Sequence, residues 1–87
     1  MSVRPYRVRV TVRLASGVND PQGNTVRDAL RALGHADVRD VRVGKVIDLV
    51  VDAETTADAR ERAERMCREL LANPVIETYQ AEVTEEA

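Results

Sequence analysis

The sequence predicts an α+β domain in the order β-α-β-β-α-β, an antiparallel sheet with two helices packed on one face. Three observations predict it. Alternating apolar residues mark a strand at 6–14, and "VIETYQAEV" (75–83) reads as the last strand. Two stretches carry apolar residues at helical spacing, Val26, Ala29, Leu30 and Leu33, then Ala59, Ala63, Met66 and Leu70. Each helix sits between strand-like segments, so the second half of the chain repeats the plan of the first. No linker or low-complexity stretch divides the 87 residues, which form one domain with an ordered core over 6–83 and a frayed tail at 84–87.

In "YRVRVTVRL" (6–14), Tyr6, Val8, Val10, Val12 and Leu14 share one face. Arg7, Arg9, Thr11 and Arg13 share the other, and Arg4 is assigned to the arginine side with them. The stretch "GVNDPQGNTVRDAL" (17–30) then starts a helix with proline and glycine in its first turn. Asp20 suits the N-cap, where a carboxylate accepts from free amides at the positive end of the helix dipole. Pro21 suits the first helical position, where no amide hydrogen is needed. Gly34 is the stop. A cap does not require Gln22 or Gly23. A close approach by another subunit's backbone would account for Gly23, and alanine there would then leave the isolated fold intact.

Val41, Val43, Ile47, Leu49 and Val51 all share odd parity, yet Gly44–Lys45 looks like a turn between two strands. A two-residue turn would throw Ile47 and Leu49 onto the wrong face. An odd loop, a bulge or one long bent strand over 38–52 each resolves the conflict. Val46 and Val50 fall on the second face, which asks for cover from another subunit. Thr55 or Thr56 caps the second helix, and Asn73 with Pro74 ends it.

Composition narrows the function. A chain this short buries only roughly 60–65% of its unfolded surface. Cys67 is alone, so no disulfide supports the core, and two tyrosines are the only aromatics. Such a thin core favours an oligomer. The net charge of −2 speaks against general nucleic-acid binding. No apolar run is long enough to span a membrane, and a free thiol with no export signal leads us to expect a cytoplasmic protein. His35 reads as a loop histidine and Cys67 as a buried thiol with no fixed base. No cysteine or histidine pair has metal-ligand spacing. "GVNDPQG" lacks the lysine and hydroxyl residue of a phosphate loop. An enzyme acting alone is not expected. The arginine face fits a solvated surface, an acidic protein partner or an RNA-binding sheet. The last normally stacks bases on aromatics, which this sequence scarcely has.

"GVNDPQGNTVRDALRALG", "VRVGK" and "MCRELLANPVIETYQAEV" together resemble the PurS family, the small subunits of bacterial and archaeal phosphoribosylformylglycinamidine synthase. Three blocks in matching order cover nearly the whole chain. The resemblance implies a β-α-β-β-α-β fold that forms dimers or tetramers. It also implies a complex for the fourth step of de novo purine synthesis, in which a large subunit uses ATP and magnesium and a glutaminase supplies ammonia. This chain would carry no catalytic residue and no cofactor or metal of its own. It would bridge the two enzymes and support the ammonia path, without nucleic acid or membrane as partners. The candidate subunit-interface residues are the corner Asp20, Pro21, Gln22 and Gly23, then Arg42, Gly44 and Lys45, and finally Val46 and Val50. Two other classes fit the same strand–helix order: a small-molecule-sensing regulatory domain with its ligand loop at "ASGVNDPQG", and an RNA-binding module.

Overall fold

A computed structural model of the chain describes residues 2–86. Five main elements follow in order: β1 (Arg4–Leu14), α1 (Pro21–Ala32), β2 (Gly44–Ala53), α2 (Thr56–Met66) and β3 (Glu77–Glu86), with a π-helical turn at Cys67–Leu71 continuing α2. The sheet is antiparallel, with β1 central and β2 and β3 at its edges.

The alternation in β1 does what its period requires. Tyr6, Val8, Val10 and Val12 are buried, while Arg7, Arg9 and Arg13 are exposed on the opposite side. Arg4 does not join those arginines. Its even position puts it on the side of Tyr6, with its guanidinium carbon 5.8 Å from the ring centroid. The parity conflict at residues 41–51 resolves as one strand. β2 begins at Gly44 and runs unbroken to Ala53, pairing Val10 with Ile47, Val8 with Leu49 and Tyr6 with Val51. Gly44 is therefore not a turn. A Cβ there would lie 2.7 Å from the Val12 carbonyl oxygen, so glycine lets the two strands close up at this end. Residues 38–43 lie outside any strand and lead into β2.

α2 covers the sheet. Ala59, Ala63 and Cys67 are fully buried and pack into one core with the inward residues of β1 and β2. Thr55 is its cap, accepting from the Asp58 amide at 3.0 Å. Leu70, expected on the apolar stripe, is 83% exposed. The reason is the π turn, in which the Ala72 amide donates to the Cys67 carbonyl five residues back. One extra residue in the turn rotates the stripe, so Leu71 and Ala72 face inward instead of Leu70. The last strand also shifts from 75–83. Asn73 organises a turn by accepting from Val75, Ile76 and Glu77, and that turn holds Val75 and Ile76 ahead of β3. At the other end the pairing continues through Glu86 opposite Tyr6, beyond the expected boundary, by means of an irregularity at Arg7–Val8. Of the expected frayed tail, only Ala87 lies outside the described residues.

α1 departs from the expected packing of both helices on one face. The contacts between elements are carried by β1 with its two neighbours and by α2 with the three strands, and α1 adds little to them. Gly23 is its only buried residue. The radius of gyration is 16.8 Å and the longest dimension 57 Å, where a compact chain of this length would have a radius near ~12 Å. The physical reason lies at the helix start, where polar bonds and not apolar burial fix α1.

Candidate interaction surface

The corner at 20–23 is a clamp between α1 and the segment leading into β2. Asp20 is 4% exposed. Its Oδ1 accepts from the Gly23 amide at 2.8 Å, the expected cap. Its Oδ2 accepts from the Val43 amide, also at 2.8 Å and 23 residues away. Those two amides hold the Asp20 carboxyl below the usual carboxylate range, against the opposing effect of its burial. Pro21 stands at the first helical position, as its missing donor allows. The neighbour of Gly23 is the chain's own backbone: a Cβ there would land on the Val41 carbonyl oxygen, deep inside van der Waals contact, and 2.9 Å from Asp20 Oδ2. The close approach inferred for Gly23 is real, and it is made within the chain. At the far end of α1, the Gly34 and His35 amides donate to the Arg31 and Leu30 carbonyls, with Gly34 at φ 109°. This is a Schellman closure, as the glycine stop anticipated.

The candidate residues fall into three neighbourhoods. Asp20, Gln22, Gly44 and Lys45 line one recess together with Arg13 at the end of the sheet. Arg42 lies in the adjoining groove, where its Nη2 donates to the Ala15 carbonyl at 3.2 Å. Val46 and Val50 are on the outer face of the sheet, 58% and 60% exposed. Between them Arg9 forms a forked pair with Asp48, with Nε–Oδ1 at 2.9 Å and Nη2–Oδ2 at 3.4 Å. The pair raises the arginine and lowers the aspartate from their ordinary values. Both side chains are more than half exposed, so solvent screens this pair. α1 adds a second uncovered apolar strip, with Leu33 78% exposed and Val26 exposed beside it.

Sequence reasoning did not single out Arg13 for the recess, nor the Val41 carbonyl. The parity of β1 marks Arg13 as outward but gives no sign of where its end of the sheet lies. Tyr6 is buried and Tyr79 faces the core side, so the arginine face has no aromatic on which a base could stack. His35 is exposed in a turn. Cys67 is sealed under α2, and burial pushes its thiol up, away from the reactive thiolate. Among the described residues no group of histidine, cysteine and carboxylate side chains could hold a metal ion, and no helix is long and apolar enough to cross a membrane.

Fold and surface thus define a small α+β accessory domain. Its distinctive residues build contacts, and large parts of its apolar surface are uncovered. The family model for PurS, phosphoribosylformylglycinamidine (FGAM) synthase, matches residues 7–85, and the chain belongs to this family of subunits of a purine-biosynthetic enzyme. The PurS subunit of Methanocaldococcus jannaschii is 40% identical over 78 residues, 90% of this chain and 94% of that one. The crystal structure of the PurS subunit from Thermotoga maritima superimposes with a TM-score of 0.86 at 34% identity, covering 97% of each chain. A chain in the structure of PurLQS from the same organism matches with a TM-score of 0.83 at 36% identity, covering 92% of this chain and 98% of that one.

Proposed function

We propose that this chain is the non-catalytic bridge of its synthase, joining the ATP- and magnesium-using synthetase subunit to the glutaminase subunit and supporting the passage of ammonia between them. It binds no cofactor itself, works in the cytoplasm, and acts as a dimer or tetramer. The observation that carries the reading is the mismatch between what the fold builds and what it covers. α1 and the outer sheet face leave Leu33, Val46 and Val50 in solvent, and a single small chain gains little from such exposure. The structure of PurLQS from Thermotoga maritima supports heteromeric partners for a relative. Asp20, Gly23 and Gly44 enter as builders of the interface that Gln22, Arg42, Lys45, Val46 and Val50 present.

The test is assembly from purified parts. The chain, the synthetase and the glutaminase should form a three-component complex in light scattering with glutamine and ADP present. Omitting the chain should leave the two enzymes apart. If they associate equally well without it, the bridging role is wrong. A folded monomer at micromolar concentration would contradict the oligomer.

A further inference from the structure

The groove beside the recess contains two arginines with unspent donors. Arg13 and Arg42 line it with Ser16, Thr78 and Asp40. Arg42 is held in place by its bond to the Ala15 carbonyl, which uses one of its five N–H groups. Arg13 is placed differently. Its stem lies against the bare backbone of Gly44, where a Cβ would sit 2.8 Å from Arg13 Cγ. Gly44 thus leaves room for the Arg13 stem as well as for the close strand pairing. Among the described residues neither guanidinium has an ion pair, and Asp40, on the same wall, is paired with neither. The contrast is with Arg9, whose fork is satisfied by Asp48 within the chain. Gly17, at φ 86°, shapes the turn that carries Ser16 beside them.

We propose that Arg13 and Arg42 form a carboxylate-binding fork that takes an aspartate or glutamate side chain of an enzyme subunit with which the chain assembles. This rests on the subunit reading above and supplies the chemistry of one contact. Two guanidinium groups approached from one groove suit a planar carboxylate. The hydroxyls of Ser16 and Thr78 add donors, and Leu14 gives the groove an apolar side that suits a protein segment better than a free ion. The chain as a whole carries −2 charge, so long-range attraction does not bring an acidic partner here, and recognition is local.

The experiment compares wild type with Arg13→Gln/Arg42→Gln and Arg13→Lys/Arg42→Lys. The mass and melting temperature of the chain alone are measured first, then its Kd for each enzyme subunit at two salt concentrations. The expected result is an unchanged fold and mass. Affinity for one enzyme should fall by roughly tenfold or more in the glutamine variant, with a weaker dependence on salt. The lysine variant should lie between the two, because it keeps charge and loses the fork. Wild-type affinity in the glutamine variant would overturn the proposal. So would a changed mass of the chain alone with unchanged binding to both enzymes, which would make a second copy the occupant. A wild-type chain that binds neither enzyme would overturn the subunit reading and the fork with it.

Discussion

The two helices of this chain are of similar length and sit in equivalent places in the sequence, yet opposite forces hold them. α2 is held by burial. Ala59, Ala63 and Cys67 are small, so the helix lies close on Val8, Val10 and Val12, and all six are essentially inaccessible to solvent. α1 buries only Gly23 and keeps its apolar strip in solvent. Its place is set by the Asp20 carboxylate on two backbone amides and by Arg31, whose Nε donates to the Val38 carbonyl at 2.7 Å. Hydrogen bonds of this kind fix direction while contributing modestly to stability. α2 therefore makes the domain, and α1 is an aimed arm whose apolar side stays in solvent.

This comparison can be broken from either side. The largest effect should come from Ala63→Asp. A charge at a fully buried position under α2 has no partner, which costs on the order of 3–5 kcal/mol, much of the stability of a small domain. Circular dichroism should show a largely unfolded chain at 37 °C. A folded spectrum with a normal melting temperature would mean that α2 does not seal the core.

Gly23→Ala comes next. The added methyl group must displace the Val41 carbonyl, and overpacking of this kind costs roughly 1–3 kcal/mol. The melting temperature should drop by roughly 5–15 °C, and hydrogen exchange should quicken at residues 20–24 and 41–43 while α2 stays protected. This reverses the expectation that alanine is harmless to the isolated fold. Unaltered exchange at both segments would remove the clamp from the account.

Asp20→Asn should do less at neutral pH, because the amide retains one acceptor, but it should change the acid limb. The folded carboxyl titrates below its ordinary value of 3.8. Its stabilising contribution is thus complete above that pH, and it disappears as pH falls through the lower, folded value. Melting curves of wild type and variant should differ at pH 7 and converge in acid. A constant gap from pH 7 to about 2 would rule out the ionised clamp.

The smallest effect on stability should come from Leu33→Ser on the exposed strip of α1. The spectrum of the chain should not change, and its melting temperature only slightly, while its mass in light scattering or its uptake into the complex should fall. Full assembly would show that partners do not cover this strip.

How much of this was legible in the sequence follows the range of the interactions. β1, the caps at Asp20 and Thr55 and the stop at Gly34 depend on neighbours within a few residues, and alternation or spacing reveals them. Gly23 and Gly44 answer to carbonyls of Val41 and Val12, far along the chain, and no local pattern encodes those approaches. Gly44 beside Lys45 accordingly imitates a turn within a continuous strand. Leu70 was misplaced because a helical period assumes a constant pitch, which the π turn interrupts. The detachment of α1 was hidden for a similar reason. Val26, Leu30 and Leu33 make the same stripe whether the covering surface belongs to this chain or another. Among the candidate residues the fold separates Asp20 and Gly23, buried in the clamp, from Gln22, Arg42, Lys45, Val46 and Val50, which face solvent, and no local pattern encodes that division.

The most direct test of the bridge compares two nitrogen sources in a reconstituted synthase. With the synthetase and glutaminase present and glutamine as the source, omitting this chain should abolish most FGAM formation. With ammonium salt as the source, the synthetase should work nearly as well without it. The chain alone should hydrolyse neither glutamine nor ATP. Glutamine-driven synthesis at an undiminished rate in the absence of the chain would contradict the account.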